Sequence, residues 1–285
     1  MHSGCPAFLE DRKKVRKEGK MLTFRQYLRP QTLEEAYTLC QKKSNVVLGG
    51  MLWLKMEQRT VGGVIDLSDL GLDTIEETEE EFRFGAMVTL RQMEQHEGFC
   101  AYTQGACADS VKDIVGVQFR NCATIGGSIF GRFGFSDVLT MFQALDTWVE
   151  LYHGGLMPLR EFAQMKFERD ILVRVIVKKT PVQMVYRSMR VTKTDFPVVT
   201  ACVSRTDSGK VCLVLGSLPG RARIALEEQI ETPITEEAAR DLAARAVEQV
   251  TFGSNMRGSA EYRKRVAKTL LRRALLALEV EDDAD

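Results

Sequence analysis

What the chain lacks narrows its chemistry first. Histidine occurs three times in 285 residues, at His2, His96 and His153, none of them beside a serine or cysteine motif. Nucleophilic catalysis needs such a group held within hydrogen-bond reach of a base, and no stretch signals that arrangement. The seven cysteines (Cys5, Cys40, Cys100, Cys107, Cys122, Cys202 and Cys212) include no C-x-x-C spacing. Scattered and odd in number, they read as buried thiols of a reducing, cytoplasmic setting, not as a disulfide framework, a zinc site or an iron–sulfur cluster. No apolar run reaches the roughly 18 residues of a membrane helix. Lys plus Arg and Asp plus Glu balance at 39 each, so no global field draws the chain to nucleic acid or to a membrane surface.

What is there is an ordinary globular composition, 45% hydrophobic and 27% charged, long enough for one large and one small domain. The basic stretch "DRKKVRKEGK" over 11–20 reads as a solvated or disordered leader, so 1–20 is set apart and folding is expected to begin at Met21. Thr32 with Glu35, and Thr89 with Gln92, have capping-box spacing ahead of helical patterns. "NVVLGGMLWLKM" (45–56) predicts a short buried strand ending in a glycine pair. "VIDLSDL" (64–70) and "FRFGAMVTL" (82–90) predict strands around an acidic connection, "GACADSVKDIV" (105–115) a helix, and "DILVRVIVKK" (170–179) a β-branched strand. Pro181 marks the boundary between 21–180 and 181–285. Beyond it, "PVQMVYRSMR", "FPVVTACVSR" and "KVCLVLGSLPGRARIA" predict a three-stranded antiparallel meander, followed by helices over 235–250 and 259–279. The fold class is α+β.

Glycines mark the functional candidates. "LGG" (48–50) follows a strand, and "RNCATIGGSIFGRFGF" (120–135) carries a second pair before an apolar helical segment. Glycine removes the Cβ that would hold a ligand away, and successive backbone N–H groups in such turns favour an anion such as phosphate. Neither stretch is GxxxxGK[ST] or GxGxxG, so a bound dinucleotide would have to share its pyrophosphate between two loops.

"RNCATIGGSI…SDVLTMFQALDTWVEL" resembles the signature of the FAD-binding subunits of the xanthine dehydrogenase and carbon monoxide dehydrogenase (molybdenum hydroxylase) family, in which an RN-x-ATIGGNI stretch precedes Ser-Asp and a helix ending in LDA. "VVLGGMLWLKM" stands where that family's first flavin loop belongs, and "RGSAEYRKRVAKTLLRRAL" resembles its C-terminal helix. The resemblance implies a two-part FAD-binding domain of the PCMH type over 21–180, then a smaller domain like that of the carbon monoxide dehydrogenase flavoprotein. It implies a first loop of Val46, Val47, Leu48, Gly49, Gly50, Met51, Leu52 and Trp53, and a second of Ala123, Thr124, Ile125, Gly126, Gly127 and Ser128, wrapping the pyrophosphate with backbone N–H groups, the Thr124 hydroxyl adding a donor. Asp137 falls at the acid that holds a flavin hydroxyl, Leu172 beside the ring system, and Arg187 where many members carry a lysine near the flavin.

It also implies the partners: a molybdopterin-containing large subunit, a [2Fe–2S] small subunit that relays electrons to FAD on this chain, and NAD+ or another acceptor. The chain departs from the pattern at Met51-Leu52, where side-chain donors are missing, at Ser128 in place of Asn, and at Gly131-Arg132-Phe133-Gly134-Phe135. Phe133 or Phe135 stacks on the isoalloxazine or packs in the core. Two other readings stay open: a scaffold that has lost FAD, suggested by Met51 and Leu52, and a self-contained flavin oxidase, for which the residues after Pro181 are few.

Overall fold

The computed structural model describes residues 21–280, so the expected leader over 1–20 lies outside the described residues. The chain builds three sheets in succession. The first is a parallel sheet of β1 (Thr23–Leu28), β2 (Asn45–Leu48) and β3 (Thr60–Asp66), in the order β1-β3-β2. The helix α1 (Leu33–Gln41) links β1 to β2, as a parallel crossover requires. Its N-cap is Thr32, whose hydroxyl accepts from the Glu35 amide at 3.1 Å.

The second sheet is antiparallel: β4 (Ile75–Glu77), β5 (Glu81–Gly85), β6 (Thr147–Leu151), β7 (Gly155–Pro158) and β8 (Leu172–Lys178), ordered β4-β5-β8-β6-β7. β3 and β5, expected around one connection, therefore belong to different sheets, and the acidic connection contains β4. Between β5 and β6 run α2 (Leu90–Gln95), α3 (Glu97–Tyr102), α4 (Ala106–Val111), α5 (Val117–Arg120), α6 (Ile125–Phe130) and α7 (Asp137–Phe142), and α8 (Leu159–Gln164) follows β7. Phe82, Phe84, Phe99, Phe142 and Met141 fill the core between these helices and the sheet.

The third sheet holds β9 (Val182–Arg190), β10 (Pro197–Thr206), β11 (Lys210–Gly216) and β12 (Arg223–Gln229) as an antiparallel meander. The stretch read as one strand supplies both β11 and β12, so the meander has four strands where three were expected. α9 (Glu236–Glu248) and α10 (Ala260–Val280) cover one face through Leu242, Val247, Leu271 and Leu275. The other face, with Met184, Tyr186, Cys202 and Val214, packs into the preceding core. β10 is thus buried on both sides, which explains why "PVVTACVSR" reads as a continuous run without alternation.

Candidate functional site

The glycine-rich stretch that looked like an open loop is largely helical. Thr124 is the N-cap of α6 and accepts from the Gly127 amide at 3.0 Å. The helix tolerates its glycines because packing demands one of them: a Cβ on Gly126 would lie 2.4 Å from the Ala86 carbonyl oxygen. The Ile125 and Gly126 amides donate to the Val88 and Ala86 carbonyls, each at 2.8 Å, and the Ser128 amide to the Thr124 carbonyl at 3.1 Å. The expectation that Ala123 to Ser128 offers a row of N–H groups is corrected accordingly. Its amides are already bonded within the chain, except that of Thr124, which has no acceptor among the described residues. The Thr124 hydroxyl accepts at Gly127 and keeps its own proton to donate.

The first loop is different. The amides of Gly50, Met51 and Leu52 have no acceptor among the described residues. Met51 takes a left-handed backbone, φ 59°, and its side chain packs with Leu48, Val61 and Val64. Leu52 is partly buried against the main core. The two residues that removed side-chain donors from this loop are its apolar anchors. The loops touch: a Cβ on Gly50 would fall 1.9 Å from the Cys122 carbonyl oxygen, and one on Gly49 2.7 Å from the Thr124 hydroxyl.

Both loops line one cavity of about 850 Å³, within the range of cofactor sites. Of the residues named from sequence, Val46 to Trp53, Ala123, Thr124, Gly126, Gly127, Ser128, Asp137 and Leu172 all line it. Ile125 does not; it is fully buried in the core. Arg187 does not either. On β9, side chains alternate, so Tyr186 and Arg190 share one face and Arg187 the other, where its guanidinium lies 4.0 Å from Asp109. Arg190 is the basic residue that sequence reasoning missed, and strand alternation was the signal that could have found it.

Asp137, at the start of α7, is 4% exposed. Its Oδ1 accepts from the Tyr186 hydroxyl and from Arg190 Nη2, each at 2.5 Å. Burial pushes the Asp137 carboxyl up, with Arg190 and Tyr186 pulling against that. With both bonds on Oδ1, a ligand hydroxyl would find Oδ2. Arg190 also donates to the Asp195 carbonyl at 2.5 Å, and its Nε is buried without a partner. Phe133 and Phe135 stack on each other, with ring centroids 5.2 Å apart. Trp53 lies 5.1 Å from Phe135 and 5.3 Å from Phe196. All four rings line the cavity, giving it an aromatic wall to which the first loop contributes Trp53.

Cavity and residues fit a dinucleotide that joins an anionic centre to a flat ring system. Three successive free amides suit a pyrophosphate, the aromatic wall suits a ring, and Asp137 suits a hydroxylated linker. Among the described residues no group of His, Cys, Asp and Glu could hold a metal, and no helix is long and apolar enough to cross a membrane.

Comparison with known proteins gives the same reading. Residues 21–180 match the family described as the FAD binding domain in molybdopterin dehydrogenase, and residues 184–278 match the CO dehydrogenase flavoprotein C-terminal domain. The uncharacterized protein YgfM of Escherichia coli (strain K12) is 24% identical over 250 residues, covering 86% of this chain and 93% of that protein. The carbon monoxide dehydrogenase medium chain of Afipia carboxidovorans is 25% identical over 280 residues, covering 87% and 94%. Among solved structures, a chain of cyanide-inactivated Cu,Mo-CO dehydrogenase superposes with a TM-score of 0.80 at 24% identity, covering 88% of this chain and 96% of that one.

Proposed function

The chain belongs to the family of FAD binding domains in molybdopterin dehydrogenases, its cofactor is FAD, and from that premise we propose that it is the electron-transfer flavin subunit of a multi-subunit molybdenum hydroxylase. The partners would be a molybdopterin-containing large subunit and a [2Fe–2S] small subunit, and the final acceptor NAD+ or another oxidant. Its relation to a carbon monoxide dehydrogenase medium chain supports that division of labour.

FAD, when bound, supplies the chemistry of taking up single electrons and releasing a pair. The chain supplies position and electrostatics. The amides of Gly50, Met51 and Leu52, with the Thr124 amide and hydroxyl, would hold the pyrophosphate, and Asp137 would accept from a hydroxyl of the linker. Trp53, Phe133, Phe135 and Phe196 would keep water from the ring system. Arg190 balances the buried charge of Asp137 and brings a fixed positive charge to the cavity wall.

The observation that carries this reading is the run of three amides without a protein acceptor at the wall of the cavity. It also weighs against a scaffold that has lost FAD, which would have no use for unpaired donors held in a left-handed turn. The test is a visible absorption spectrum of the purified chain, with chromatography of the cofactor released by heat. We expect flavin bands and about one FAD per chain, and co-purification with two further subunits from the native source. A colourless chain that refuses added FAD would remove the flavin reading. A yellow chain that purifies alone and turns over a substrate by itself would replace the subunit with a self-contained oxidase. Reduction of NAD+ by the photoreduced holo-chain separates NAD+ from other acceptors.

A further inference from the structure

We propose that Cys100 and Cys107 form a reversible, peroxide-sensitive disulfide pair. Nothing in their spacing suggests one, since they stand in "CAYTQGAC" (100–107), at neither C-x-x-C nor metal-ligand separation. The turn between α3 and α4 brings them together. Gln104 and Gly105 both take left-handed backbone, φ 45° and 79°, which folds α4 back against α3. Cys100 Sγ then lies 2.9 Å from Cys107 Sγ. That is shorter than the about 3.5–4.0 Å of an ordinary nonbonded contact between carbon atoms. A disulfide of about 2.05 Å requires the sulfurs to approach by only about another 1 Å.

The surroundings give the two thiols different parts. Cys107 is fully buried, and burial together with the neighbouring Cys100 raises its pKa strongly, so it keeps its proton. Cys100 is only partly buried and donates to the Glu94 carbonyl at 3.2 Å, so it is the one a small oxidant reaches first. With hydrogen peroxide as oxidant, the Cys100 thiol is oxidised to a sulfenic acid, and one oxygen of the peroxide leaves as water. The Cys107 sulfur then attacks the sulfenic sulfur, the S–S bond forms, and the departing hydroxide takes the Cys107 proton as a second water. Two thiols are oxidised and one peroxide is reduced to two waters. A thiol or thioredoxin-type reductant returns the pair to its starting state.

Trypsin makes the test direct, because residues 92–112 contain both cysteines, no other cysteine and no internal Lys or Arg. The full chain, reduced and desalted, is treated with hydrogen peroxide, alkylated, and digested without reductant for mass spectrometry. Cys122, which is exposed, serves as the internal gauge of dose. We expect the 92–112 fragment to lose two hydrogens and take no alkyl group at doses that leave most Cys122 alkylated, and dithiothreitol to restore two alkylatable thiols. Cys107→Ser should send Cys100 on to sulfinic and sulfonic acid, and Cys100→Ser should leave Cys107 unreacted. The proposal is overturned if the wild-type fragment takes two alkyl groups once Cys122 is oxidised, or gains oxygen without losing two hydrogens. The wild-type measurement decides by itself if either serine variant fails to fold.

Discussion

Gly49-Gly50 and Gly126-Gly127 look interchangeable in the sequence, each a glycine pair beside an apolar run, yet the fold uses them in opposite ways. The first loop leaves its amides unpaired at Gly50, Met51 and Leu52 and is held from below by apolar side chains, Met51 in the parallel sheet and Leu52 against the main core. The second spends all its amides but that of Thr124 on acceptors of its own chain, four of them carbonyls and one the Thr124 hydroxyl. It is braced from behind by a buried ion pair, in which Arg120 donates to both Glu94 oxygens at 3.0 and 3.1 Å. One loop is a set of donors in search of an acceptor; the other is a finished wall. Hydrophobic anchoring does not titrate, whereas an ion pair does, so the two halves of the cradle should fail under different conditions.

The largest effect is expected where the loops meet. Gly50→Ala would put a Cβ 1.9 Å from a backbone oxygen that cannot swing aside. We expect a loss of about 3 kcal/mol or more, at the upper end for overpacking, and a chain that purifies without flavin. Thermal unfolding and the FAD-to-protein ratio read both. A variant that keeps FAD and its melting temperature would mean that the loops are not in contact.

Next comes the brace. Arg120 and Glu94 have side chains only 7% and 10% exposed, so Arg120→Met leaves a buried carboxylate without its main partner, at a cost of about 3 kcal/mol. The pH dependence sharpens this. Burial pushes the Glu94 carboxyl up, but hydrogen bonds from Arg120 and Arg91 outweigh it and hold the group below its usual 4.5. A carboxyl held low in the folded chain contributes stability above its unfolded value and loses it as pH falls through the lowered one. The wild-type melting temperature should therefore fall below about pH 4.5, and Glu94→Gln should flatten that fall while starting from a lower melting temperature at neutral pH. Equal slopes would show that the brace does not carry the acid sensitivity.

How much of this could be read beforehand depended on whether the cause was local. The N-cap at Thr32, the capping box at Thr89, the helices after β12 and the uninterrupted apolar run of β10 are written in short local stretches, although Glu35 bonds the Gln31 amide and so leaves the box at Thr32 half made. The two stretches lining the cavity were legible from glycine and from family resemblance. The assignment of β3 and β5 to separate sheets was not, because strand pairing is decided by distant partners. The used and unused amides were hidden for the same reason: the acceptors for Ile125 and Gly126 are Val88 and Ala86, in the distant turn between β5 and α2. The family resemblance points to Arg187, whereas the two-residue period of β9 sets Arg190 on the side of Tyr186. The pairing of Cys100 with Cys107 needed the backward turn at Gln104 and Gly105, which has no spacing signature.

A smaller effect isolates the one residue of the second loop that still has something to donate. Thr124→Val keeps the shape and removes a hydroxyl that both caps α6 and is free to donate. Loss of the cap should cost about 1 kcal/mol, and loss of the donor should weaken FAD by about tenfold, as one hydrogen bond to a charged group would. Thr124→Ser should restore both. Titration of the apo chain with FAD, followed by flavin fluorescence, separates affinity from stability. If Thr124→Val lowers only the melting temperature, the hydroxyl is a cap and nothing more.

The smallest change in stability belongs to Gly127→Ala, and it bears most directly on the contrast between the loops. An added Cβ meets only the Thr124 hydroxyl, at 3.1 Å, the movable end of a side chain, so a shift of a few tenths of an ångström accommodates it. Alanine is also favoured over glycine in a helix by about 0.5–1 kcal/mol, so the apo chain should melt at the wild-type temperature or slightly above. If the second loop is a wall against which the pyrophosphate lies, the same methyl group narrows the cavity that Gly127 lines, and FAD should bind more weakly while the fold is unharmed. Stability and affinity then move in opposite directions for one substitution, which neither a packing role nor a loss of structure can produce. Unchanged FAD affinity in a stable Gly127→Ala chain would leave the first loop holding the cofactor alone.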